Sequence, residues 1–254
     1  MSQKWKLTIE YDGMPFAGWQ RQPNVLAVQQ CIEDAIKAFS GQESVDLTVA
    51  GRTDAGVHAL GQVAHVRMQR EDFDAKAMRD ATNFHLRPHP ISIVSAEKVA
   101  DDFNARMSAT GRVYCYKIIC NRRGDSVLLR DRAWHVNHDL DLAAMNKGAR
   151  HLLGTHDFTT FRDSECQAKS PIRSIDRLEI IEREDAMFGR HLELWAEARS
   201  FLHHQIRNIT GTLKLVGEGK WTPDDVKTAL DAKDRTKGGP TAPPYGLYFV
   251  RVDY

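Results

Sequence analysis

Twice along its length this chain of 254 residues runs through the same order of hydrophobic periods. Residues 6–11 alternate apolar and polar as a strand does. Residues 25–39 place Val28, Ile32, Ala35, Ile36 and Phe39 at helical spacing and stop at Ser40-Gly41, a helix-end signal. Two short alternating runs follow at 45–50 and 62–66, then helical spacing over 74–86 halted by Pro88, then a strand-like run at 91–99. The order is strand, helix, strand, strand, helix, strand. The second half repeats it: a strand at 112–119, a helix over 140–153 capped by Asp139, strands at 172–181 and 190–198, a helix over 202–216 before Gly217, another at 224–230 after Pro223, and a last strand at 247–252. The repeat is of pattern and not of residues. Two split βαββαβ units, ferredoxin- or RRM-like, predict an α+β protein with mainly antiparallel sheets, helices packed against them, and a cleft where the two subdomains meet.

The break between the halves falls near Ala100, giving an N-terminal subdomain over 1–100 and a C-terminal one over 101–254. Residues 155–171 have few periodic apolar positions and read as a long loop or short strands. Gly238-Gly239-Pro240 and Pro243-Pro244 read as a linker before the final strand.

Between the two short runs of the first half lies Arg52-Thr53-Asp54-Ala55-Gly56-Val57-His58. A turn between strands carries Asn, Gly or Pro for its shape. This one also carries a carboxylate two residues after a guanidinium, with Gly51 and Gly56 on either side. Glycine lets a backbone come close to a ligand, and an opposite charge keeps a carboxylate ionised. The same residues also describe a glycine-flanked hairpin with a surface ion pair.

Residues 50–59, Ala-Gly-Arg-Thr-Asp-Ala-Gly-Val-His-Ala, resemble the signature of the tRNA pseudouridine synthase A family. Four further blocks match in order: Tyr11-Asp12-Gly13 with Gly18-Trp19-Gln20-Arg21-Gln22; Asp102-Phe103-Asn104-Ala105-Arg106 running into Ser108-Ala109-Thr110; the stretch from Phe201 to Asn208; and Gly246-Leu247-Tyr248. The likeness spans nearly the whole chain. Two departures stand out: Arg87 intervenes in the Asn83-Phe84-His85-Leu86-Arg87-Pro88 stretch, and Gly111 follows Thr110. Both lie outside the implied catalytic set and bear on loop geometry and RNA contacts.

The resemblance implies two related subdomains with an active cleft between them, and conversion of uridine to pseudouridine at positions 38 to 40 of the tRNA anticodon arm. It also implies a homodimer in which one tRNA touches both subunits. That reaction cuts the bond from ribose C1′ to uracil N1, turns the base and rejoins it through C5. It involves no redox change or hydrolysis and so calls for no cofactor. On this resemblance Asp54 is the nucleophile toward C1′, or a base toward the sugar. Tyr114, at the end of the Ser108-to-Tyr114 pattern, stacks on the extruded base and takes the C5 proton; Tyr116 shares its strand face. Arg207 pairs with Asp54, Arg52 contacts the RNA or helps eject the base, Leu247 supplies an apolar wall, and Arg21 joins the substrate-binding set.

Composition narrows the partners. Net charge is +1, so RNA binding falls to local patches: Arg122-Arg123 with Arg130 and Arg132, Lys169 with Arg173 and Arg177, and Lys233 with Arg235 and Lys237. No apolar stretch is long enough to cross a bilayer and the start lacks an apolar secretory segment, which predicts a cytoplasmic protein without a membrane partner. Cys31, Cys115, Cys120 and Cys166 show no Cys-x-x-Cys spacing, and Pro88 separates His85 from His89, so a metal site is not expected. Two rivals remain: an RRM-like binding module without catalysis, and a hydrolase using Asp54 with His58 or His203.

Overall fold

In the computed structural model, residues 2–69, 73–120, 127–185 and 189–254 are described. Among them are ten strands and five α-helices in two compact units, one of residues 1–110 with 248–254 and one of residues 111–247. The predicted α+β architecture with mostly antiparallel sheets is present. Among the described residues no helix is long and apolar enough to cross a membrane.

The first unit contains β1 (Gln3–Tyr11), α1 (Val28–Ser40), β2 (Leu47–Val49), β3 (His58–Met68), α2 (Ala75–Leu86) and β4 (Ile91–Val99). β1 runs antiparallel to both β3 and β4, and β2 runs antiparallel to β3. The resulting order, β4-β1-β3-β2, is that of a split βαββαβ unit. Alternation along β1 buries Trp5, Leu7, Ile9 and Tyr11, and α1 answers with Val28, Ile32, Ala35 and Ile36. Burying Leu7 or Ile9 contributes about 1.5–3 kcal/mol each. Asp74 caps α2 by accepting from Ala77 N–H at 2.6 Å. Asn83 then ties that helix to β4: its Nδ2 donates to the Ile93 carbonyl (3.0 Å) and its Oδ1 accepts from the Ile93 N–H (2.7 Å).

A smaller core of Ala50, Val63 and Ala105, with Phe103 and Val252 against it, extends this unit beyond Ala100. The last strand, β10 (Leu247–Asp253), meets β3 in parallel at Tyr248 and His58. The Tyr254 hydroxyl donates to the Ala105 carbonyl at 2.9 Å. The 102–106 block therefore packs with the first sheet, and the unit ends at Thr110.

The second unit holds β5 (Gly111–Cys120), β6 (Trp134–Val136), α3 (Leu142–Arg150), β7 (Gly154–Asp157), β8 (Ile172–Asp185), β9 (Gly189–Ala198), α4 (Gln205–Gly217) and α5 (Pro223–Ala232). Its sheet runs β5-β9-β8-β7, antiparallel throughout, with β6 parallel to β5. Asn146 of α3 repeats the clamp seen at Asn83, donating to the Ile180 carbonyl (2.8 Å) and accepting from its N–H (2.9 Å).

Two details differ from the sequence reading. The cap of α3 is Asp141, whose carboxylate accepts from Ala144 N–H at 2.9 Å, and not Asp139. α4 begins at Gln205, because His204 takes a left-handed φ of +60° and breaks the helix there. The short-strand alternative for 155–171 is met at its start by β7 (Gly154–Asp157), followed by a 3₁₀ turn at Thr159–Phe161.

Candidate active site

Asp54 stands in the turn leading into β3, and the backbone around it is held at several points. Trp19 N–H donates to the Thr53 carbonyl at 3.1 Å, and Val57 N–H donates to the Asp54 carbonyl at 3.2 Å. Two glycines of the Tyr11-to-Gln22 block press on the turn. A β-carbon on Gly13 would stand 2.0 Å from the Val57 carbonyl oxygen. Gly18, at φ +96°, faces the backbone of Thr53, Asp54 and Ala55. That packing explains why the two blocks occur together. Asp54 is half-buried, Thr53 buried and Arg52 exposed.

His58 is buried and acts structurally: Gly13 N–H donates to its Nδ1 at 3.1 Å, and its ring stacks on Tyr248 at 4.8 Å between centroids. That Nδ1 also lies 3.1 Å from the Asp12 carboxylate, and a buried ring engaged in this way does not suit the hydrolytic base role. Arg21 is engaged with α1, its Nε 2.9 Å from Glu33 and its Nη2 3.1 Å from Asp34.

In the second unit Tyr114 lies on β5 opposite Ala196 of β9, with its ring edge-on to Phe201 at 5.3 Å. Tyr116, two residues on, is fully buried and its hydroxyl donates to the Pro243 carbonyl at 2.8 Å. Burial holds its phenol well above the usual range. Both tyrosines are buried, Tyr116 completely and Tyr114 to 8% exposure. Arg207, on the first turn of α4, donates from Nε to the Ala242 carbonyl (2.8 Å), while Ala242 N–H donates to the Arg207 carbonyl (3.1 Å). Leu247 is buried at the start of β10.

The turn before α4 carries groups that sequence reading assigned no structural role. The Asp163 carboxylate lies 2.7 Å from His204 Nδ1 and 3.8 Å from His203 Nδ1. Burial pushes the Asp163 carboxyl up, but the Glu165 N–H and the two histidines outweigh it and hold it below the ordinary carboxylate range. Asp163 N–H donates back to the His203 carbonyl at 3.0 Å.

The basic patches divide. Arg122-Arg123 lie outside the described residues. Arg177 is paired with Glu179 and Glu197, and Arg235 donates to Gly239, Asn208 and Thr241. Arg130 and Lys169 are exposed, as is Lys237. Cys31, Cys115 and Cys120 are buried and Cys166 half-buried, all as free thiols; burial pushes Cys115 up to about 12.

A family model described as tRNA pseudouridine synthase matches residues 7–107 and 149–254. Three curated relatives, each called tRNA pseudouridine synthase A, align along nearly the full chain. The protein of Paramagnetospirillum magneticum is 55% identical over 251 residues, covering 99% of this chain and 95% of that protein. That of Rhodospirillum centenum is 53% identical over 252 residues, covering 99% and 100%. That of Parvibaculum lavamentivorans is 52% identical over 255 residues, covering 99% of each.

Proposed function

The chain belongs to the tRNA pseudouridine synthase family, and on that premise we propose that it acts on uridines 38 to 40 of the tRNA anticodon arm with Asp54 as nucleophile. It is an isomerase that forms pseudouridine in tRNA. The observation that carries the nucleophile reading is the build of the Asp54 turn: a half-buried carboxylate on a backbone tied to Trp19 and packed against Gly13 and Gly18. A group held this way meets the reacting carbon with little reorganisation.

In this reading the Asp54 carboxylate attacks ribose C1′ and displaces N1, leaving the sugar on the enzyme and the uracil free in the site. Tyr114 stacks on the loose base while it turns. After C5 bonds to C1′ and releases Asp54, the Tyr114 oxygen takes the C5 proton while its own hydroxyl proton passes, directly or through solvent, to N1, so atoms and charge balance. Arg207 pairs with Asp54 and keeps it anionic. Leu247 excludes water from the detached base. Arg52 contacts the RNA at the everted nucleotide and Arg21 contributes to the binding surface, exchanging its carboxylate partners for phosphate. A stem uridine is reached only after flipping, because A-form RNA hides its base edges. The protein works as a cytoplasmic homodimer, with one tRNA touching both subunits, and no step calls for a cofactor.

Tritium release from C5-labelled tRNA tests the assignment. Asp54→Asn keeps the shape and removes the charge, so turnover should vanish while folding and tRNA binding persist. A variant that still releases tritium at the native rate overturns the role of Asp54. A pure binding module would release none even as wild type, and a hydrolase would leave cleaved RNA or free base. Mapping pseudouridine in tRNA from cells lacking the gene tests positions 38 to 40.

A further inference from the structure

Three buried polar side chains stand behind the Asp54 turn and take no part in the steps above. Tyr11 ends β1 at 3% exposure, and its phenol shares a 2.7 Å hydrogen bond with the Thr53 hydroxyl. Gln62 of β3 is fully buried. Its Nε2 donates to the Gly51 carbonyl at 2.7 Å and its Oε1 accepts from Val63 N–H at 3.1 Å.

The Gln62 side chain also acts on the Tyr11 phenol, in the direction that lowers its pKa. Burial pushes that phenol up to about 12, against the opposing influence of Thr53 and Gln62. It therefore keeps its proton at neutral pH and serves as a hydrogen-bonding group only. Either hydroxyl can supply the hydrogen of the Tyr11–Thr53 bond.

Stability alone does not account for this arrangement. Apolar groups of the same shape would fill the space at nearly equal free energy, and a buried polar set is safe only while every member is satisfied. What the three share is the backbone on both sides of Arg52. Gln62 holds residue 51 and Tyr11 holds residue 53, whose carbonyl Trp19 N–H also engages. Asp54 is the next residue along.

We propose that Tyr11, Thr53 and Gln62 form a positioning network that fixes where the Asp54 carboxylate stands, an inference that rests on Asp54 being the nucleophile. The three touch no substrate; they act through the loop backbone. A displacement of about 1 Å at a reacting group costs on the order of a hundredfold in rate.

Tyr11→Phe and Thr53→Val each remove one hydroxyl and keep the shape. The expected result is a kcat lower by about ten- to a hundredfold, with KM and the tRNA dissociation constant within about twofold of wild type. Thr53→Ser keeps the hydroxyl and should restore turnover. A folded Tyr11→Phe enzyme with native kcat, even one that melts earlier, overturns the proposal, and so does a loss confined to KM. If Tyr11→Phe does not fold, Thr53→Val against Thr53→Ser decides by the same criteria. Asp54→Asn run in parallel separates the two claims. If it is inactive while Tyr11→Phe turns over normally, only the network falls; if it is fully active, the nucleophile reading falls and takes the network with it.

Discussion

Gly18 and Thr53 approach so closely that a β-carbon on Gly18 would stand 2.8 Å from the Thr53 carbonyl oxygen. Thirty-odd residues of chain separate them, including the whole of α1. The contact turns a flexible interstrand connection into a fixed platform.

Gly18→Ala should therefore do more than lower stability. The residue's φ of +96° is strained for alanine, and the only relief is to move the Thr53-Asp54 backbone. A loss of about 1–3 kcal/mol in unfolding free energy is expected. Turnover at 25 °C should fall further than the folded fraction does. Denaturant melts paired with tritium release check this, and a drop in activity equal to the unfolded fraction would refute it.

Tyr114 and Tyr116 should separate cleanly when each is changed to Phe. Tyr116→Phe removes the bond to the half-buried Pro243 carbonyl, a loss of about 0.5–1.5 kcal/mol, with turnover per folded molecule unchanged. Tyr114→Phe should lower kcat per folded molecule. Parallel melting curves and single-turnover assays decide it; the opposite pattern would exchange the two assignments.

Acid should release the turn before α4. The Asp163 carboxyl is held below its ordinary value of 3.8 in the folded protein, burial opposing and the Glu165 N–H and His204 prevailing. A lowered folded pKa contributes stability that is present above the unfolded value and is lost as pH falls through the folded one. The stability difference between wild type and Asp163→Asn should thus be constant near neutrality and shrink below about pH 4. Chemical denaturation of both proteins from pH 7 to pH 3 measures it, and a gap that widens on acidification would contradict the sign.

Much of the fold is legible in local pattern. Residues 91–99 form β4 as their alternation predicts, because a strand with one face in the core must place an apolar side chain at every second position. Where the pattern fails, the reason is also local. Asp139 and Asp141 both offer a capping carboxylate, and only the packed helix selects the second. Leu202 continues the apolar spacing into α4, but the left-handed backbone at His204 interrupts it. β6 is three residues long and pairs with β5 in parallel, too short to show a period.

The candidate site divides in the same way. The Arg52-to-His58 block, its glycines and the four ordered companions are properties of residue order, and they mark the family, with Asp54 as the proposed nucleophile, from the chain alone. Which tyrosine of β5 has its hydroxyl committed to a carbonyl, and that Tyr11, Gln62 and Thr53 converge behind residue 54, came only with the folded chain. The physical reason is range. Periodicity and turn chemistry act over a few neighbouring residues, whereas a buried hydrogen bond is defined by a distance between segments that only their packing brings within 3 Å.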